Sequence, residues 1–195
     1  MKTKLISVKR RDTVGKSSAK SLRNQGLVPV NLYGGESTHY FYGFINDFKD
    51  VIYTPEVFKI VLVEDGKKPF ESVIQEVQFH PLSDDIIHID FLEVTDEKEV
   101  KINVPVTFSG NAIGVKNGGR FLQKLRKIQV LGKVKDIPEK LNIDITKVNL
   151  GESIRIKDVQ TESLEILNGS DVPVATVEIP RGMKGAKKAA AETKA

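Results

Sequence analysis

Cysteine and tryptophan are both absent from this chain of 195 residues. Without thiols there are no disulfides, no thiolate metal sites or zinc knuckles and no cysteine nucleophile, which fits a reducing compartment. Aromatics make up only 7%, so a core has to be packed mainly with aliphatic side chains. No apolar run approaches the roughly 20 residues that cross a bilayer, and the first 15 residues lack the apolar stretch of a secretion signal. These absences predict a cytoplasmic protein with no membrane partner. Equally missing are a Walker-type phosphate loop, a dinucleotide fingerprint, a nucleophile elbow and a His-Glu-x-x-His pair, so no catalytic residue, resident metal or cofactor is expected.

What is present is 39% hydrophobic and 29% charged residues, enough to bury a core in each of two domains. The formal net charge of +4 is small, but it is unevenly spread. Residues 1–25 carry +7, residues 26–93 carry −8, residues 94–180 carry +1 and the stretch from Arg181 carries +4. A basic start and a basic tail around one acidic and one near-neutral body suit a polyanion met by particular patches.

Alternation and turn signals predict a mainly β protein. Lys4–Val8 reads as a strand, and Lys16–Arg23 as a short helix with Ser17 or Ser18 as N-cap and Gly26 as its stop. Val28–Tyr33 and Tyr40–Ile45 read as a hairpin around Gly34-Gly35, followed by a short helix capped by Asn46 or Asp47. Phe58–Val63 and Glu71–Phe79 flank an Asp65-Gly66 turn, and Ile86–Val94 is a further strand. This makes residues 1–94 a small β-barrel domain with short helices. Six short β runs between Lys101 and Ile179 predict a second all-β, sandwich-like domain over 95–180, and residues 181–195 read as a disordered basic tail.

Three groups could carry chemistry. Arg10, Arg11, Lys16, Lys20 and Arg23 can neutralise phosphates, with Ser18 near a helix N-terminus that adds backbone donors. Gln78, His80, His88 and Asp90 offer donors and acceptors on strands, and Tyr33 a flat ring for a sugar or base. His88 and Asp90 are two apart, so they share one strand face; Gln75 lies opposite Gln78 unless a bulge intervenes. The competing readings are a solvated helix face, a core Tyr33, or a weak metal or proton-shuttle pair at His88 and Asp90 that lacks a third ligand.

The motifs Gly15-Lys-Ser-Ser-Ala-Lys-Ser-Leu-Arg, Leu32-Tyr-Gly-Gly, Gln75-Glu-Val-Gln-Phe-His-Pro and His88-Ile-Asp-Phe resemble those of the bacterial large-subunit ribosomal protein number twenty-five family. Members with an added second β domain are often called general stress protein Ctc, and the likeness continues through Gly118-Gly119, Asp136-Ile-Pro-Glu and Asp171-Val-Pro-Val-Ala. The resemblance implies a structural constituent of the large ribosomal subunit that docks on 5S ribosomal RNA at its loop E. It implies that Arg11, Lys16, Lys20, Arg23 and Tyr33 contact the sugar-phosphate backbone while Gln75, Gln78, His88 and Asp90 face the widened minor groove. Large-subunit ribosomal RNA and neighbouring ribosomal proteins are the further partners, with one copy per particle. Two features depart from the family: Lys20 and Ser21 stand where relatives often carry arginine, and Asp84 and Asp85 occupy a loop that is often basic. The alternative reading is a stress-related protein-interaction module whose RNA binding is incidental.

Overall fold

The computed structural model describes residues 2–64, 68–159, 161 and 164–180. The Asp65-Gly66 turn and the basic tail lie outside the described residues. Contacts divide the chain into two units, one of residues 1–102 with 132–139, the other of residues 103–131 and 140 onward.

The first unit is a closed six-stranded barrel. Strands β1 (Lys2–Arg10), β2 (Leu27–Tyr33), β3 (His39–Phe44), β4 (Phe58–Glu64), β5 (Phe70–Phe79) and β6 (Ile86–Glu93) run in the spatial order β1-β3-β2-β6-β5-β4. β1 pairs with β4 and β2 with β6 in parallel; the other pairs are antiparallel. Closure leaves no edge open to another chain. Ile6, Val8, Val30, Leu32, Phe41, Ile60, Leu62, Ile89 and Phe91 alternate inward and form the core. Helix α2 (Ile45–Ile52) adds Phe48, whose ring centroid lies 6.3 Å from that of Phe91. Gly43 permits this approach, because a Cβ there would lie 2.9 Å from the Phe48 ring.

Helix α1 (Lys16–Asn24) packs beside β2 and buries no residue completely. Neither helix is capped as its sequence suggests. Gly15 occupies the N-cap of α1, while Ser18 lies inside the first turn and turns its hydroxyl back to the Thr13 carbonyl at 3.1 Å. Phe44 occupies the N-cap of α2, which leaves Asp47 in its first turn, where a carboxylate still complements the helix dipole. Gly26 does end α1, in the left-handed conformation (φ +73°) that only glycine adopts without strain.

One face of β4 and β5 points away from the core, yet Val61 and Val73 on it are buried. Val94, Val100, Ile102, Val134 and Ile137, in the same unit but outside the six barrel strands, are buried as well. Ion pairs link β4 and β5 to these segments. Lys59 Nζ lies 2.7 Å from Glu71 and 3.0 Å from Asp96, and Asp96 also meets Lys135 at 3.3 Å. Lys2 bridges Glu56 at 2.7 Å and Glu139 at 3.6 Å.

The second unit is β-rich as well. Strands β7 (Glu99–Ser109), β8 (Arg120–Gln123), β9 (Lys127–Lys133), β10 (Leu141–Asp144), β11 (Ser153–Arg155), β12 (Glu165–Ile166) and β13 (Pro173–Glu178) form two sheets, β10-β7-β9-β12 and β11-β13-β8, with residues 99–102 of β7 and 132–133 of β9 falling in the first unit. The one-turn helix α3 (Ile113–Lys116) and β8 are additions to the sequence reading, which found no helix here and no strand at 120–123.

Ile137→Ala is expected to destabilise the barrel by roughly 2–5 kcal/mol, because Ile137 is fully buried and belongs to the same unit as the barrel. Amide exchange of β4 and β5 in the full chain checks this; protection unchanged there, with losses confined to residues 103–131, would refute it.

Candidate nucleic-acid interface

Across β2, β6 and β5 the outward positions are polar. Val30 and Leu32 point into the core, so Asn31 and Tyr33 point out; Ile89 and Phe91 point in, so His88 and Asp90 point out. Register then sets the neighbours. Asn31 pairs with Asp90, Asp90 with Glu76, and His88 with Gln78. One rigid surface therefore carries an amide, two carboxylates, an imidazole and a second amide, on strands spaced about 4.8 Å apart.

A bulge decides which residues of β5 join this surface. Ile74 pairs with Phe91 and Glu76 with Asp90, so Gln75 is an extra residue without a partner of its own. The shift lets Ile74 and Val77, three apart, both pack on the core. It leaves Gln75, Glu76 and Gln78 all exposed. The bulge thus removes the strand-parity objection to Gln75 acting with Gln78.

His88 and Asp90 interact directly, with Nδ1 3.4 Å from Oδ2 and both side chains mostly covered. A carboxylate beside Nδ1 favours the tautomer protonated there, which leaves Nε2 as an acceptor. The Tyr33 phenol is raised above its ordinary range, first by burial and then by the negative charges of Asp90 and Glu76. Tyr33 is therefore electrostatically part of the same cluster. His80 is not. Its Nδ1 accepts from the backbone N–H groups of Leu82 and Ser83, both at 3.3 Å, and so braces the β5–β6 loop. Among the described residues no group of three or more histidine and carboxylate side chains could hold a metal ion.

The basic residues flank this surface in different ways. Lys16 and Lys20 are exposed on α1, and Arg10 is exposed at the end of β1. Arg11 is half-buried: its N–H donates to the Tyr40 carbonyl at 2.9 Å, and its buried Nε has no hydrogen-bond partner. Arg23 Nε donates to the Ile87 carbonyl at 3.0 Å. That carbonyl belongs to a second irregularity in the ladder, where Gln78 pairs with His88 but Phe79 with Ile86. Arg23 therefore clamps the basic helix to the residue immediately before His88. Ser18 is half-buried, its proton spent on Thr13.

Sequence reasoning missed Asn31 and Glu76. Asn31 was visible in the alternation of β2; Glu76 was hidden, because its side depends on the bulge. In the second unit Lys124, Arg126 and Lys127 are exposed, and Lys124 lies 3.4 Å from Glu178.

A closed barrel with a polar, aromatic-bearing outer face beside a clamped basic helix has the make-up of a polyanion-binding β protein. Comparison with known proteins makes the class definite. Residues 6–91 match the Ribosomal L25p family, and residues 99–181 match the ribosomal protein TL5 C-terminal domain. The large ribosomal subunit protein bL25 of Cytophaga hutchinsonii is 41% identical over 182 residues, covering 93% of this chain and 94% of that protein. The bL25 proteins of Porphyromonas gingivalis and Bacteroides fragilis are 38% and 37% identical, over 95% and 88% of this chain and 97% and 87% of their own lengths. The chain belongs to the bL25 family.

The Tyr33 phenol is expected to titrate above the ordinary value of about 10, and Asp90→Asn to bring it only part of the way back, because burial is the larger cause. Carbon-13 NMR of the tyrosine ring measures both. A full return to the ordinary value in Asp90→Asn would show that charge, not burial, governs the ring.

Proposed function

We propose that this chain is a non-enzymatic structural component of the large ribosomal subunit in the cytoplasm, and that its barrel binds 5S ribosomal RNA at loop E. The observation that carries the reading is the joined geometry of the polar face and the basic helix, with Arg23 bonded to the carbonyl next to His88. The family resemblance of the motifs Gln75–Pro81 and His88–Phe91 supplies the identity of the RNA.

The chemistry divides between two kinds of contact. Arg10, Arg11, Lys16 and Lys20 neutralise phosphates, which gives affinity without sequence and a steep salt dependence. Asp90 and Glu76 do the opposite. A carboxylate repels a regular A-form backbone and is tolerated only where base amino groups or 2′-hydroxyls can donate to it. Gln75, Gln78 and His88 add amide and imidazole groups that read the same opened minor groove. Tyr33 packs at the margin as a flat surface for a sugar. The second domain adds contacts to other large-subunit RNA or to neighbouring ribosomal proteins.

Two variants of the full chain separate these roles. Lys20→Ala should weaken binding to 5S RNA and to a control with loop E replaced by regular duplex by the same factor, and lower the salt slope by about one. His88→Ala or Asp90→Ala should remove about 1–3 kcal/mol of discrimination between the two RNAs. Equal losses on both RNAs in the His88 and Asp90 variants would strip those residues of any specificity role.

A further inference from the structure

Where α1, the start of β2, the start of α2 and the β5–β6 loop meet, the barrel carries a groove of about 290 Å³ beside the polar face described above, sharing Arg23 and Ile87 with that interface. Leu27, Ile45 and Ile86 give it an apolar floor, and Arg23, His80 and Asp85 line its rim. We propose that this groove receives one unstacked, amino-bearing base of the bound RNA, with the phosphate of that nucleotide on Arg23. The inference rests on the RNA-binding reading and extends it to a second subsite.

Size comes first. The volume lies just below the range of about 300–1,000 Å³ for drug-sized small-molecule sites, enough for a single base, and the open mouth suits a base still attached to its strand. The rim is fixed and of mixed polarity. Because His80 Nδ1 accepts from Leu82 and Ser83, the ring carries its proton on Nε2, a donor held in place by the loop. Asp85 is an acceptor, braced by the Ser83 hydroxyl at 2.7 Å. A base edge with both an amino donor and a ring acceptor complements this pair. A phosphate does not: Asp85 and its neighbour Asp84 would repel it, so the base enters and the phosphate stays outside. Arg23 is suited to hold it, since the bond from Nε to Ile87 fixes the guanidinium plane and leaves the terminal nitrogens for a phosphate oxygen. The groove is also continuous with the main interface. Ile87 lines it, and the next residue along β6 is His88.

The test uses the full chain with methyl-labelled isoleucine and 5S ribosomal RNA as the probe. A base stacked over the floor moves the Ile45 and Ile86 methyl resonances upfield through its ring current. Ser83→Phe, which fills the groove from an exposed loop, should weaken binding about tenfold, the worth of one stacked base, with the methyl spectrum of the free variant confirming its fold. RNA that binds with unmoved Ile45 and Ile86 methyls, and equally well to Ser83→Phe, overturns the groove while leaving the main interface intact. Methyls unmoved by RNA but perturbed by RNA-free ribosomal proteins assign the groove to a protein neighbour and also overturn it. No binding of the wild-type chain to the RNA removes both readings together.

Discussion

The pairing of β5 with β6, and the two places where its register slips, is the constraint on which the rest of the barrel's surface depends. At the first slip Gln75 is left over, and a strand that would otherwise expose Ile74 or Val77 buries both. The outer face gains Glu76 and Gln78 opposite Asp90 and His88 by the same step. At the second slip the Ile87 carbonyl becomes the acceptor for Arg23. A regular ladder would place the polar residues of β5 on alternate faces and would leave α1 without its clamp. Bulges of this kind re-aim side chains at the cost of local ladder hydrogen bonds, a cost that a closed barrel with a filled core can bear.

Charge falls in two kinds of place on the barrel. The lysines of α1 stand in solvent, where they add to long-range attraction and are screened by salt. The carboxylates stand on the rigid sheet, close enough to act on Tyr33 and, through Asp90, on His88. A surface of lysine and arginine alone would hold any duplex. Under the proposed RNA-binding role, acids set among donors disfavour a regular duplex and favour an opened groove. Elsewhere charge has a different role: Lys59, Asp96 and Lys135 tie residues 132–139 to the outer layer of the barrel, next to Val61 and Val73.

Much of this was legible in the sequence because strand parity is a local property. The β2–β3 hairpin, the inward Ile89 and Phe91, and the shared face of His88 and Asp90 all follow from period-two alternation. Gly26 as the stop of α1 follows from its freedom at positive φ. The helix starts were misread because serine, asparagine and aspartate favour the cap and the first turn alike, and only the backbone path settles which. Glu76 was missed for a deeper reason: a bulge is set by what two distant strands bury, and nothing in Gln75-Glu76-Val77 alone announces it. That residues 132–139, with Val134 and Ile137 buried, join the unit of the barrel is likewise a tertiary fact. The groove beside Arg23 is assembled from four separate segments and has no signature along the chain.

On the proposed reading the polar face confers selectivity that survives when phosphate attraction is screened. Equilibrium binding of the unmodified full chain to intact 5S ribosomal RNA and to the loop-replaced RNA, over a series of salt concentrations, addresses it most directly. The account predicts that both affinities fall as salt rises while their ratio holds or grows. Equal affinities that collapse together would contradict it, and would reduce the barrel surface to a basic patch with acids placed on it to no purpose.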